Sequence, residues 1–226
     1  MRDSGAEKRR RPSSVDARSA FWDEKILRWE ISRYSLLARF NPFSWTVRRR
    51  MTTVQRLVRA DFADHPDILD LGCGSGFLAH AVVDGAERRY TGVDFSRVAV
   101  EAARKRFSPH ADRIRFEQMN VLDAAGMKAS LIVALGLLDW LDEREIGPWF
   151  RNLNGRTLCF SFTEADSGNA SLLYRQYRRF LDGKYRARNY PESQIVEAVR
   201  AGGYRVDRII RLSPLDPGRL VLASKI

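Results

Sequence analysis

At 226 residues the chain is long enough to bury a sizeable core, and it suits one domain with an elaboration. A hydrophobic content of 44% is ordinary for a globular protein, and no apolar run approaches the roughly 18 residues that span a bilayer. The net charge of +11 is uneven, with 15 Lys/Arg against 6 Asp/Glu in residues 1–60, which points to an anionic partner at that end: a membrane surface, nucleic acid or an acidic substrate.

The N-terminus (MRDSGAEKRRRP) lacks the apolar stretch of a secretory signal. The two cysteines, Cys73 and Cys159, stand in no metal-ligand spacing. Both features suit a reduced, cytoplasmic protein without a disulfide framework or a zinc site. Residues 1–14, centred on Lys8-Arg9-Arg10-Arg11-Pro12, cannot build a core and read as a flexible basic tail.

Residues 15–60 read as an N-terminal helical cover. A long helix is expected over 15–40, with Trp22, Ile26, Trp29, Leu36 and Phe40 on one stripe and Leu27, Ile31 and Tyr34 on a second. Asn41-Pro42 stops it, and Ser44 is placed to cap a second helix running to about Phe62. Arg48, Arg49 and Arg50 stand near the start of that helix, where they oppose the macrodipole and add nothing to helix stability. This unit packs as a helical pair on the core, or it covers an active site and touches substrate or an anionic membrane as a basic amphipathic helix.

Residues 61–226 alternate strands and helices. Ile68 to Leu71 reads as a buried strand, and Gly72, Gly74 and Gly76 force a tight turn into a helix over 77–83. A dinucleotide fingerprint would put its third Gly at position 77, where this chain has Phe77, and no Lys-Ser/Thr pair follows for a P-loop. Arg89 to Asp94 is a second strand ending in an acid, and Ser96 caps the helix after it. A third strand runs from Arg113 to Val121. A fourth, Ser130 to Leu135, is apolar throughout, as a central parallel strand should be. A helix over 142–153, with Pro148 beginning a new turn, leads to a fifth strand over 156–163. Helices follow over 170–181 and 191–201. Strands over 204–212 and 219–225 are joined too tightly for a crossover helix, so that pair is antiparallel.

The D-x-G-x-G-x-G turn, the acid ending strand two, the polar end of strand three and the loop after strand four resemble the class I S-adenosylmethionine-dependent methyltransferases. The resemblance implies an α/β fold: a doubly wound, seven-stranded sheet, parallel but for one antiparallel C-terminal strand, with the N-terminal helices as an extension. It also implies S-adenosylmethionine as cofactor. Asp70 and the turn of Gly72, Cys73, Gly74 and Gly76 would hold the methionine moiety, and Asp94 the ribose hydroxyls. Phe95, Asn120 and Val121 would lie by the adenine, with Leu135 at the end of strand four. Asn120 departs from the Asp common there, although its side-chain oxygen can still accept a hydrogen bond.

The sulfonium is already an activated methyl donor, so the protein must align an acceptor, exclude water and, for a hydroxyl, help remove a proton. Asp139 and Glu164 are the candidate bases, and Tyr34, Trp140, Tyr174 and Tyr190 the candidate pocket wall. Strand four lacks an Asp/Asn-Pro-Pro-Tyr/Phe run, no Pro-Cys pair follows it, and Ala134-Leu135 offers no carboxylate for a magnesium ion. These features favour metal-independent methylation of a small molecule at oxygen over methylation of DNA. RNA modification through the basic N-terminal region, and a non-catalytic binding or scaffold role, are the alternatives.

Overall fold

The structure, a computed structural model, describes residues 14–36, 40, 42–83, 87–165, 187–212 and 217–226. The basic tail over 1–13, the expected helix over 170–181 with Tyr174, and most of the turn joining the last two strands lie outside the described residues.

Seven strands form one sheet: β1 (Asp67–Leu71), β2 (Arg89–Asp94), β3 (Ile114–Gln118), β4 (Lys128–Ala134), β5 (Asn154–Thr163), β6 (Tyr204–Arg211) and β7 (Gly218–Lys225). Their order is β3-β2-β1-β4-β5-β7-β6. β7 runs antiparallel to both β5 and β6, while the pairings among β1 to β5 are parallel. The central strands are apolar because helices cover both faces of the sheet. On one face α2 (Pro42–Arg59), α3 (His80–Val83) and α4 (Arg97–Arg106) bury Val54, Val58, Val82 and Ala103. On the other, α5 (Val121–Ala124), α6 (Glu143–Asn152) and α7 (Glu192–Ala201) bury Trp149, Phe150 and Val199. Strand order reverses between β1 and β4, which opens a crevice at their carboxyl ends, the usual ligand position in such sheets.

The N-terminal helices depart from expectation in informative ways. α1 (Ser14–Tyr34) ends well before Phe40, and its buried residues are Ile26, Glu30 and Arg33. Leu27 and Ile31, expected on an apolar stripe, face solvent. α2 begins at Pro42, whose fixed φ suits a first helical position. Ser44 therefore lies inside α2 and caps nothing; its Oγ donates to the Ser32 carbonyl at 3.1 Å and ties α2 to α1. α6 runs through Pro148 without a break, started by the Glu145 carboxylate, which accepts the Asp142 N–H at 2.7 Å. α4 begins as expected, with Ser96 Oγ accepting from the Ala99 N–H.

Candidate functional site

The turn after β1 is held in a left-handed backbone by three glycines, Gly72, Gly74 and Gly76, at φ 77°, 54° and 82°. Its amide protons are already spent. Gly72 and Cys73 donate to the Val93 carbonyl, Gly74 to Asp94 Oδ2 at 2.9 Å, Ser75 to Glu30 Oε1 at 2.8 Å, and Gly76 back to Cys73. A phosphate-binding loop leaves these donors free for the ligand. Here backbone carbonyls take three of them and two carboxylates the other two, so the turn suits a ligand without phosphate and with positive charge nearby.

Glu30 is the residue that sequence reasoning missed. It comes from α1, 45 residues before Ser75, and accepts from both the Ser75 N–H and Ser75 Oγ. Arg106, at the end of α4, donates to the Ser75 carbonyl and Oγ. Asp23, also on α1, accepts from Ser96 Oγ and the Val98 N–H at the start of α4. α1 is thus fastened at both ends of α4 and lies across the turn. Phe77 completes the contact, its ring centroid 4.3 Å from that of Tyr34. The one legible signal for Glu30 was its position four residues after Ile26, on the side of α1 that is buried.

Beneath α1 lies a cavity of about 390 Å³, within the range of small-ligand sites. The turn and strand ends contribute Asp70, Gly72, Cys73, Gly74, Asp94, Phe95 and Leu135, all expected there. Tyr34 and Trp140 also line it, and Trp140 packs edge-on against Trp22 with centroids 4.9 Å apart. Gly76, Asn120, Val121, Glu164 and Tyr190 stand outside its wall. Asn120 caps α5 by accepting from the Leu122 N–H, and Val121 is in the core. Glu164 is buried and accepts from the Glu192 N–H. The Tyr190 hydroxyl donates to the Leu141 carbonyl. Asp139 does face the cavity, but both its oxygens are engaged: Oδ1 accepts the Thr163 N–H at 2.9 Å and Oδ2 the Thr163 hydroxyl at 2.8 Å.

Burial sets the electrostatics. Asp70 is pushed up to about 7, mainly by desolvation, which the hydrogen bond from the Tyr90 hydroxyl at 2.5 Å only partly offsets. Asp94 and Glu30 are raised for the same reason, against the N–H groups they accept from. Tyr34 is raised to about 12, chiefly by burial, with Arg50 opposing the shift. Arg50 is the second residue that sequence reasoning passed over. Its guanidinium donates to Ser161 Oγ at 3.2 Å and lies over Gly136, where a Cβ would come within 3.1 Å of it. Ser161 in turn accepts the Gly136 N–H at 2.8 Å, so the end of β4 holds Arg50 in place. Next to Gly136, Leu137 packs on Gly72, so this cation stands by the first glycine of the turn. Among the described residues it forms no ion pair. Nor is any group of three or more His, Cys, Asp or Glu among them placed to hold a metal ion.

The sheet order, the glycine turn and the acid ending β2 together define a Rossmann-like methyltransferase fold. Residues 68–156 match the family model described as a methyltransferase domain. The chain is 27% identical to the N-demethylindolmycin N-methyltransferase of Streptomyces griseus, over 90% of this chain and 76% of that protein. It is 28% identical to the EEF1A lysine methyltransferase 4 of Mus musculus, over 57% of this chain and 47% of the relative. With the malonyl-[acyl-carrier protein] O-methyltransferase of Acetivibrio thermocellus the figures are 25%, 54% and 42%. The chain spans less than half the length of these last two relatives. In fold it is similar to the magnesium protoporphyrin IX methyltransferase of Synechocystis PCC 6803, with a TM-score of 0.73 at 17% identity, covering 93% of this chain and 99% of that one. The fold is that of the class I S-adenosylmethionine-dependent methyltransferases, and the methyltransferase-domain match spans residues 68–156.

Proposed function

We propose that the protein transfers a methyl group from S-adenosylmethionine to an oxygen of a small molecule, without a metal. The observation that carries this reading is a cavity that joins the acid-lined turn to an aromatic wall under α1. The cofactor fits that turn chemically. It brings a sulfonium, an ammonium and a carboxylate but no phosphate, and the turn has acids to offer and few free amides. Asp94 would accept from the ribose hydroxyls with the lone pairs that Gly74 and Ser96 leave unused. Asp70 and Arg50 both line the cavity, where Asp70 would take the ammonium and Arg50 the methionine carboxylate. The sulfonium supplies the activated methyl group.

The chain then has to orient the acceptor and keep water out. Trp22, Trp29 and Trp140 close the cavity with flat apolar surface, and α1 shields the turn. Asp139 is committed to bracing Thr163, with one bond to each oxygen, and Tyr34 is too weak an acid at neutral pH to release its proton. An acceptor oxygen that is acidic in its own right, a phenol or a carboxylic acid, fits this wall best. Lys25 and Arg28 in the wall favour its anionic form.

Calorimetric titration with S-adenosylhomocysteine, against NAD as control, tests the cofactor half of the reading. S-adenosylhomocysteine should bind and NAD should not; equal binding of both, or NAD alone, overturns it. The affinity should also rise with pH and level off above about 7, because the ligand ammonium favours ionised Asp70, which is half protonated near that pH in the free protein. Incubation with methyl-labelled S-adenosylmethionine and a panel of phenols and aromatic acids tests the other half.

Arg50→Gln separates the two ends of the cofactor. Loss of one charge-assisted hydrogen-bonded pair, about 1.5–3 kcal/mol, should weaken S-adenosylhomocysteine roughly tenfold to a hundredfold. Binding of 5′-methylthioadenosine, which lacks the amino-acid end, should be unchanged. An equal loss for both ligands would mean that Arg50 supports the fold of the cavity and not the carboxylate.

A further inference from the structure

Six large hydrophobic side chains are exposed among the described residues, and five of them fall between residues 27 and 45: Leu27 (36%), Ile31 (65%), Leu36 (80%), Phe40 (72%) and Trp45 (63%). The sixth is Ile226. Scattered apolar side chains are normal on a protein surface; a run of this kind along two helices and the connection that carries Leu36 and Phe40 is not. Two side-chain hydrogen bonds tie the pair together. Ser44 Oγ donates to the Ser32 carbonyl, and Arg48 donates to the Ser35 carbonyl at 3.0 Å. They tie the segment that carries Ile31 to the one that carries Trp45.

The charge on this face is mostly positive, and the fold makes it more so. Two acids of α1, Asp23 and Glu30, turn inward to α4 and the glycine turn. On α2 the exposed residues Trp45, Arg49, Arg56 and Arg59 recur at helical spacing along one side. On α1 the exposed charges among the described side chains are Glu24 and Arg28. Among the described side chains, the outer face of the two helices and their connection therefore presents five apolar groups beside four exposed arginines and one exposed acid. No described helix is long and apolar enough to cross a membrane. An amphipathic face of this composition suits the headgroup boundary, where apolar side chains enter the acyl region and arginines meet lipid phosphates. Arg28 and Ser32 are exposed and also line the cavity, so its mouth opens beside Ile31.

We propose that the outer face of α1 and α2 docks on an anionic lipid surface, with the cavity mouth turned towards it. The contact needs no methyl transfer and can be tested without an acceptor. The full chain is sedimented with vesicles of phosphatidylglycerol and phosphatidylcholine in equal parts, and with vesicles of phosphatidylcholine alone. Binding should require phosphatidylglycerol. The double variant Ile31→Glu, Trp45→Glu should bind the anionic vesicles at least about tenfold more weakly, since two carboxylates replace inserted apolar groups. S-adenosylhomocysteine binding by the variant reports that it is folded, because neither residue lines the cavity.

Three outcomes would overturn the proposal. One is no binding to the anionic vesicles. Another is equal binding by the variant, which would assign the effect to the basic N-terminal segment. The last is a dimer in lipid-free solution that the variant dissociates, which would make this face a contact between two copies of the chain.

Discussion

Asp94→Ala is expected to lower the affinity for S-adenosylhomocysteine about a hundredfold, the loss of one to two charge-assisted hydrogen bonds. Two effects act together. The ribose would lose its proposed acceptor, and the turn loses its anchor, because Asp94 accepts from the Gly74 and Ser96 N–H groups. Stability should change less than affinity. The variant leaves two N–H groups without an acceptor, but it also removes a buried acid whose raised proton affinity shows that its charge is costly there. 5′-Methylthioadenosine keeps the ribose, so it should lose affinity in parallel, in contrast to its expected indifference to Arg50→Gln. Unchanged binding of both ligands by a folded Asp94→Ala protein would remove the cofactor assignment. Calorimetry on the two variants with the two ligands therefore maps both ends of the site.

Much of this site was legible in the chain because it is local. The turn is written in three glycines at alternate positions, and Asp94 follows at the end of the next apolar strand. Ser96 announces a cap with its own backbone partner three residues on. The antiparallel end of the sheet follows from a connection too short to cross over. What could not be read is what the fold brings from afar. Glu30 and Arg50 lie in helices whose pattern gives no register against the sheet, and each finds its partner only after packing, at Ser75 and Ser161. The two stripes of α1 were ambiguous for the same reason. Aromatic and apolar residues occupy more than half its circumference, and burial went to the side bearing Ile26, Glu30 and Arg33, not to Leu27 and Ile31. The polar residues expected at strand ends diverged too. Asn120 serves its own helix, and Glu164 is bridged to Tyr190 across the edge of the sheet.

Asp139 is where sequence and geometry lead to different experiments. Its place after β4 suits a base, but its oxygens hold Thr163, the last residue of β5, by backbone and side chain at once. Its own carbonyl accepts the Arg188 N–H at 2.7 Å. It therefore braces the end of β5 against the loop that carries Trp140, an arrangement that predicts a positioning role and not a general base. Asp139→Ala would strand a buried N–H and hydroxyl and should cost about 2–4 kcal/mol, near the sum of two lost partners. For a chain of this size that is a fall in Tm of roughly 4–16 °C. Asp139→Asn should recover most of it: the amide oxygen still accepts the Thr163 N–H, and the amide nitrogen donates to the Thr163 hydroxyl. The methyl-transfer rate decides the role. A brace predicts that Asp139→Asn keeps activity within about threefold with an unchanged pH profile. A general base predicts a loss of 10²–10⁴ and disappearance of the acid limb. Rates of label transfer across pH, on whichever acceptor the screen yields, distinguish the two, and a large loss in a variant as stable as the parent would restore the catalytic reading.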